Sequence, residues 1–98
     1  MGISVSIQDR MHVRVNGFVN LDGSTLSRMV LAAPKGSMLD AIHAYADTMF
    51  NSYQLQFFVD ELAAMTPSRE DERRVIEALQ VAAEDAMRTL GYLWFTGD

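Results

Sequence analysis

Ile3, Val5 and Ile7 alternate with Ser4, Ser6 and Gln8 at the start of the chain. A period of two puts the aliphatic side chains on one face of a strand and the polar ones on the other, so something apolar must cover the first face. After a polar break at Gln8-Asp9-Arg10, Met11, Val13 and Val15 alternate with His12, Arg14 and Asn16. The two runs predict a β-hairpin over 3–7 and 11–18, with Phe18 and Val19 continuing it past a bulge at Gly17. With 98 residues, 49% of them hydrophobic, the chain has material for one core, and a single domain over 1–98 is expected.

Helices are expected to supply the cover. Leu26, Met29 and Val30 have helical spacing, and Ser24 is a candidate cap for a short helix within 24–32. Residues 38–50 are ambiguous. Met38, Ile42, Tyr45, Ala46 and Met49 fall on a helical stripe, but Asp47-Thr48 interrupts it, so a helix, two short pieces and a structured loop all fit. Asn51 is followed three residues later by Gln54, the spacing of a capping box, and Leu55, Phe58, Val59 and Leu62 share one face. A helix near 52–65 follows from that pattern.

Thr66-Pro67 then predicts a new helix start, and Val75, Ile76, Leu79, Ala83, Ala86, Met87 and Leu90 give it a broad apolar face over 67–90. Glu70, Asp71 and Glu72 suit its positive end, Glu70–Arg74 and Glu84–Arg88 are acid-before-base pairs, and Gly91 is placed at the C′ stop. Tyr92-Leu93-Trp94-Phe95 is β-prone and predicts a third strand beside the hairpin. The expected fold is therefore α+β: a small antiparallel sheet, from the N-terminal hairpin and the C-terminal strand, packed against two or three helices.

The charge is unevenly placed. Residues 1–50 hold four acids and four bases, whereas residues 51–98 hold nine acids and four bases, which accounts for the whole net charge of −5. No basic stripe exists to displace counterions from phosphate, so neither nucleic acid nor an anionic membrane surface is expected as a partner. A basic protein would be steered to the acidic half. The chain has no cysteine, which removes disulfides, thiolate metal sites and thiol nucleophiles. No phosphate-cradling glycine loop or nucleophile elbow is present. The opening Met1-Gly2-Ile3-Ser4 lacks the charged and apolar regions of a secretory signal, and a cytoplasmic location is expected.

Few residues invite a chemical role. His12 and His43 share no neighbour at metal-ligand spacing, and no metal, cofactor or catalytic residue is assigned. His43, among apolar neighbours, is expected to be a hydrogen-bonded structural histidine. Asp47 stands in an apolar stretch and is expected, with Asn51, to organise the local chain by hydrogen bonds. In the helix after Asn51, Tyr53, Phe57, Asp60 and Ala64 form a second stripe, with Phe57 roughly 200° around from Leu55. An aromatic strip flanked by acid has the make-up of an interface anchor, so Tyr53, Phe57, Asp60 and Glu61 are the candidate partner-binding residues.

Tyr45-Ala46-Asp47-Thr48-Met49-Phe50-Asn51, a Y-x-D-T-x-F-N segment, and the ending Leu93-Trp94-Phe95-Thr96-Gly97-Asp98 can be taken with the opening Met1-Gly2-Ile3-Ser4-Val5. Together they resemble a set of small uncharacterised bacterial proteins. That resemblance implies no activity.

On these grounds a non-enzymatic, acidic, protein-binding inhibitor is expected, of the immunity-protein or antitoxin kind that neutralises a bacterial toxin. A phage-encoded inhibitor of a host defence protein has the same profile. The alternative is a self-associating structural or scaffolding subunit, in which the Tyr53–Phe57 strip is a homodimer face and the C-terminal strand pairs across a two-fold axis.

Overall fold

The C-terminal strand is the centre of the sheet. The computed structural model describes residues 2–98, in which β1 (Ile3–Gln8) and β2 (Arg14–Phe18) form the hairpin. Next come α1 (Gly23–Ala32), the one-turn α2 (Met38–Ala41), β3 (Asp47–Asn51), α3 (Ser52–Ala64), α4 (Glu70–Arg88) and β4 (Tyr92–Gly97). The sheet is antiparallel throughout, in the order β2-β1-β4-β3, with helices packed against one face. The α+β class, the hairpin and the C-terminal strand are as the sequence predicts.

The alternation decides what lies inside. Ile3, Val5, Leu93, Phe95 and Phe50 point into the helix layer and are buried, with Leu26, Leu55, Phe58, Leu62, Val75 and Leu79 facing them. Phe50, Phe58 and Phe95 form an aromatic nucleus, with centroids 5.2, 5.4 and 6.1 Å apart in tilted and edge-on pairs. The hairpin register shifts between Ser6 and Ile7, so that Asn16 and Gly17 bulge out of β2, as expected at Gly17.

Several local expectations are corrected. Residues 38–50 divide into pieces: α2 ends at Ala41, a turn follows, and the final part is not a loop or helix but an edge strand of the sheet, Asp47–Asn51. Helix α1 is capped by Asp22 rather than Ser24, with the Asp22 carboxylate accepting from Ser24 N and Thr25 N. Those backbone donors, Thr25 foremost, hold the Asp22 carboxyl below the usual carboxylate range. Helix α4 begins at Glu70, not Pro67, and Arg69 gives it no side-chain cap. Its start is tied instead to α1: Arg28 Nη2 donates to Asp71 Oδ2 at 3.0 Å, and Thr25 Oγ1 donates to the same oxygen at 3.4 Å. Arg88 pairs with Asp85 rather than with Glu84.

The end of α4 also differs. Leu90 N donates to Met87 O and Gly91 N to Ala86 O at 2.8 Å, the bond pattern of a Schellman stop. Leu90, not Gly91, occupies the left-handed C′ position, with φ of 55°. Gly91 is required for another reason: a Cβ there would collide with the carbonyl oxygen of Gln8. The place of β4 between β1 and β3 uses both of its edges, so it has none with which to pair across a two-fold axis. The free edges belong to β2 and β3.

Candidate functional site

Helix α3 starts where β3 ends, and one residue serves both. Asn51 closes the strand and caps the helix: its Oδ1 accepts from Gln54 N at 2.9 Å, and Gln54 Oε1 accepts from Asn51 N at 2.9 Å. This reciprocal box satisfies two backbone donors at the helix start and fixes where α3 begins. Leu55, Phe58 and Leu62 then face the core, and Tyr53 and Phe57 are left 66% and 51% exposed. The two rings touch edge to face, with centroids 5.2 Å apart. Asp60, one turn further along, is exposed. Among the described residues, no base lies within ion-pair distance of it.

Glu61 belongs to a different job. Its Oε1 accepts from Met38 N at 2.8 Å and its Oε2 from Leu39 N at 2.9 Å. Ser37 Oγ accepts from Asp40 N at 3.1 Å, so the orphan donors of α2 are met by two side chains, one of them from α3. Glu61 is thus held against the fold, and the strip with a free surface is Tyr53, Phe57 and Asp60.

Asp47 is exposed at the first position of β3. The bonds that shape the preceding turn come from its neighbours: His43 N donates to Thr48 Oγ1 at 2.8 Å, and Tyr45 N donates to His43 Nδ1 at 3.1 Å. His43 is the hydrogen-bonded structural histidine expected, although its side chain lies in an exposed turn. Thr48, not Asp47, is the organiser of that turn.

The sheet face away from the helices carries a second feature. Phe18 is the register partner of Ser6, Ser6 of Trp94, and Trp94 of Met49, which makes one row across all four strands. Ser6 is buried between the two aromatic positions, while Phe18 and Met49 are exposed at the sheet edges. In the adjoining row the Arg14 guanidinium lies 4.2 Å over the Phe18 ring. His12 stacks on Tyr92 with centroids 4.1 Å apart. His12 lies in the hairpin turn rather than in a strand, and its Nδ1 sits 3.1 Å from Gln8 Oε1. Arg14 and His12 thus each lie against one aromatic ring of this face, and Phe18 stays exposed. The signal for it was present in Tyr92-Leu93-Trp94-Phe95, whose alternation sends Tyr92 and Trp94 outward.

The acid surplus is concentrated by pairing. All four bases of residues 51–98 lie within ion-pair distance of acids: Arg69 of Asp71, Arg73 and Arg74 of Glu70, and Arg88 of Asp85. Asp60, Glu61, Glu77, Glu84 and Asp98 remain, among the described residues, without a base in reach. Among those residues no group of three histidine or acid side chains converges to hold a metal ion, and no helix is long and apolar enough to cross a membrane. In comparisons with protein-family models, with curated proteins and with solved structures, nothing matches this chain.

Proposed function

We propose that this chain is a small acidic protein-binding inhibitor, of the immunity-protein or antitoxin kind, whose partner is a basic bacterial toxin. The observation that supports the reading is the Tyr53–Phe57 pair. Two aromatic rings lie in mutual contact on the exposed side of a helix whose other face is held in the core by Leu55, Phe58 and Leu62, and they are flanked by the unpaired Asp60. Rigid exposed aromatics lose little side-chain entropy on binding and bury a large apolar area, which is what an anchor requires. The unpaired Asp60 beside it attracts a cationic partner and accelerates encounter.

Co-expression with the product of the adjacent reading frame tests this. A toxic product should be neutralised, growth restored, and the two chains co-purified as a complex. Phe57→Ala should weaken that complex by about 2 kcal/mol or more, and Asp60→Asn should slow association at low salt with little change at high salt. Neutralisation that survives Tyr53→Ala and Phe57→Ala together overturns the assignment of the strip.

A further inference from the structure

The sheet face turned away from the helices differs in charge from the rest of the molecule. Its strand positions carry two charged side chains, Arg14 in β2 and Asp47 in β3. Arg14 stands in the row of Gln8, Tyr92 and Asn51, and Asp47 in the row of Thr96 and Ser4. The two therefore occupy diagonally opposite corners, one on each free edge. They are three strand spacings apart, about 14 Å, and four residues apart along the strands, again about 14 Å. Among the described residues neither is within ion-pair distance of an opposite charge. Between the corners runs the apolar row, with Phe18 58% and Met49 38% exposed and Trp94 half-buried. Beyond the strands, Arg10 lies in the hairpin turn at the Arg14 end, where the Asp9 carboxylate is turned onto Met11 N and Val13 N. Asp98 follows Thr96 at the Asp47 end.

A face with a base at one corner and an acid at the opposite one is complementary to itself. A two-fold axis lying between two such faces, at right angles to the Arg14–Asp47 diagonal, sets each Arg14 on the partner's Asp47. Because that diagonal runs at about 45° to the strands, the same rotation crosses the two sheets at about 90°, one of the two angles at which sheets pack face to face. Trp94, in the middle row of a central strand, then lies beside the axis and meets the partner's Trp94. Phe18 covers the partner's Ser4 and Thr96, and Met49 the partner's Gln8 and Tyr92. The hairpin turn with Arg10 comes to the partner's β3 side and Asp98 to its β2 side, so no acid is set on an acid. We propose that the open sheet face is an isologous interface, covered by the same face of a second copy of this chain. The unpaired acids of α3 and α4 lie in the helix layer across the sheet, so this is a face on which a chain of net charge −5 meets its like without an acid surplus. Four strands with their side chains measure about 20 Å each way. The pair buries on the order of 1,000 Å² in total, which makes the dimer weak and reversible.

Sedimentation velocity on the purified full chain at low salt, from about 1 µM to about 1 mM, tests this. A concentration-dependent monomer–dimer equilibrium is expected, and the emission of Trp94, the only tryptophan, should shift to the blue as the dimer forms. Arg14→Asp alone and Asp47→Arg alone should each weaken it at least fivefold, because each sets like charges together at both corners. The double variant Arg14→Asp/Asp47→Arg should return it to within about threefold of wild type. The decisive measurement mixes the two single variants in equal amounts. They should associate with each other at least as tightly as wild type does with itself, since an all-acidic pair of corners then meets an all-basic one. Misfolding of either variant, followed by circular dichroism, cannot produce that rescue. Phe57→Ala should leave the equilibrium unchanged, which separates this inference from the α3 reading. A chain that stays monomeric throughout, a dimer that the single substitutions leave intact, or single variants that do not associate when mixed overturns the proposal.

Discussion

Phe57 and Phe58 are neighbours in the chain, about 100° apart around α3, and Phe58 alone enters the core. Phe58 is fully buried, within 5.2 Å of Phe50 and 6.1 Å of Phe95 by ring centroids. Phe57 is 51% exposed, and Tyr53 is the ring it touches. One residue of helical rotation separates a core anchor from a surface one, and burial of Leu55, Phe58 and Leu62 holds that rotation in place.

Substituting each in turn should give opposite results. Phe58→Ala opens a cavity in the aromatic nucleus and should cost about 3–5 kcal/mol in urea unfolding. Phe57→Ala removes a half-exposed ring and should change stability by less than about 1 kcal/mol. Equal losses in the two variants would show Phe57 to be a core residue and remove the basis for the α3 strip.

Deletion of residues 92–98 should abolish cooperative folding. Six register pairs join β4 to β1 and five join it to β3, so its loss leaves β3 without a strand partner and strips Leu93 and Phe95 from the core. Because Trp94 is the only tryptophan, the truncated chain is best followed by far-ultraviolet circular dichroism. A sharp thermal transition with an unchanged midpoint would contradict the central role of the strand.

The parts of the fold read correctly from sequence are those with long, clean periods. The alternation of Ile3, Val5 and Ile7 and the broad stripe from Val75 to Met87 each specify an element and its buried face. Strand β3 was not legible because its five residues include Met49, which also continues a helical stripe from Met38. Its strand state is set by pairing with β4, a segment more than forty residues away. The same holds at Glu61: a carboxylate beside Asp60 reads as surface charge until α2 folds back to place two backbone N–H groups on it. Leu90 was placed on the apolar face and Gly91 at the stop, one residue out of step. Helix periodicity does not register where the backbone turns left-handed. The α3 strip was visible as a second stripe, because Tyr53 and Phe57 stand one helical turn apart and off the face of Leu55, Phe58 and Leu62.

Leu90 and Gly91 should respond in opposite directions. Leu90 holds a left-handed φ of 55° while 60% exposed, so glycine there relieves backbone strain and forfeits little packing. Leu90→Gly should stabilise the protein by about 0.5–1 kcal/mol. Gly91→Ala should be strongly destabilising, since its Cβ would meet the Gln8 carbonyl and push β4 away from β1. Thermal melts of the two variants check this, and a Leu90→Gly variant less stable than wild type would show that the side chain, not the strain, dominates.

Acid should weaken the tie between α1 and α4. The Arg69 guanidinium, and after it that of Arg28, hold the Asp71 carboxyl well below the usual carboxylate range. Asp71 also accepts from Glu72 N, and Arg28 reaches Glu72 at 3.9 Å. Because the folded carboxyl binds its proton more weakly than the unfolded one, the unfolded chain takes up more protons as the pH falls. The stabilisation is therefore complete above the ordinary carboxylate pKa of about 4 and is lost as the pH drops through that value toward the folded one. The side chains of Asp71 and Arg28 are 34% and 49% exposed, so salt should also diminish the effect. Asp71→Asn keeps the shape and removes the titration. In urea unfolding it should be less stable than wild type near pH 7, and the gap should narrow progressively as the pH falls below about 4. Parallel pH profiles for the two proteins would show that the Asp71 network contributes no pH-dependent stability.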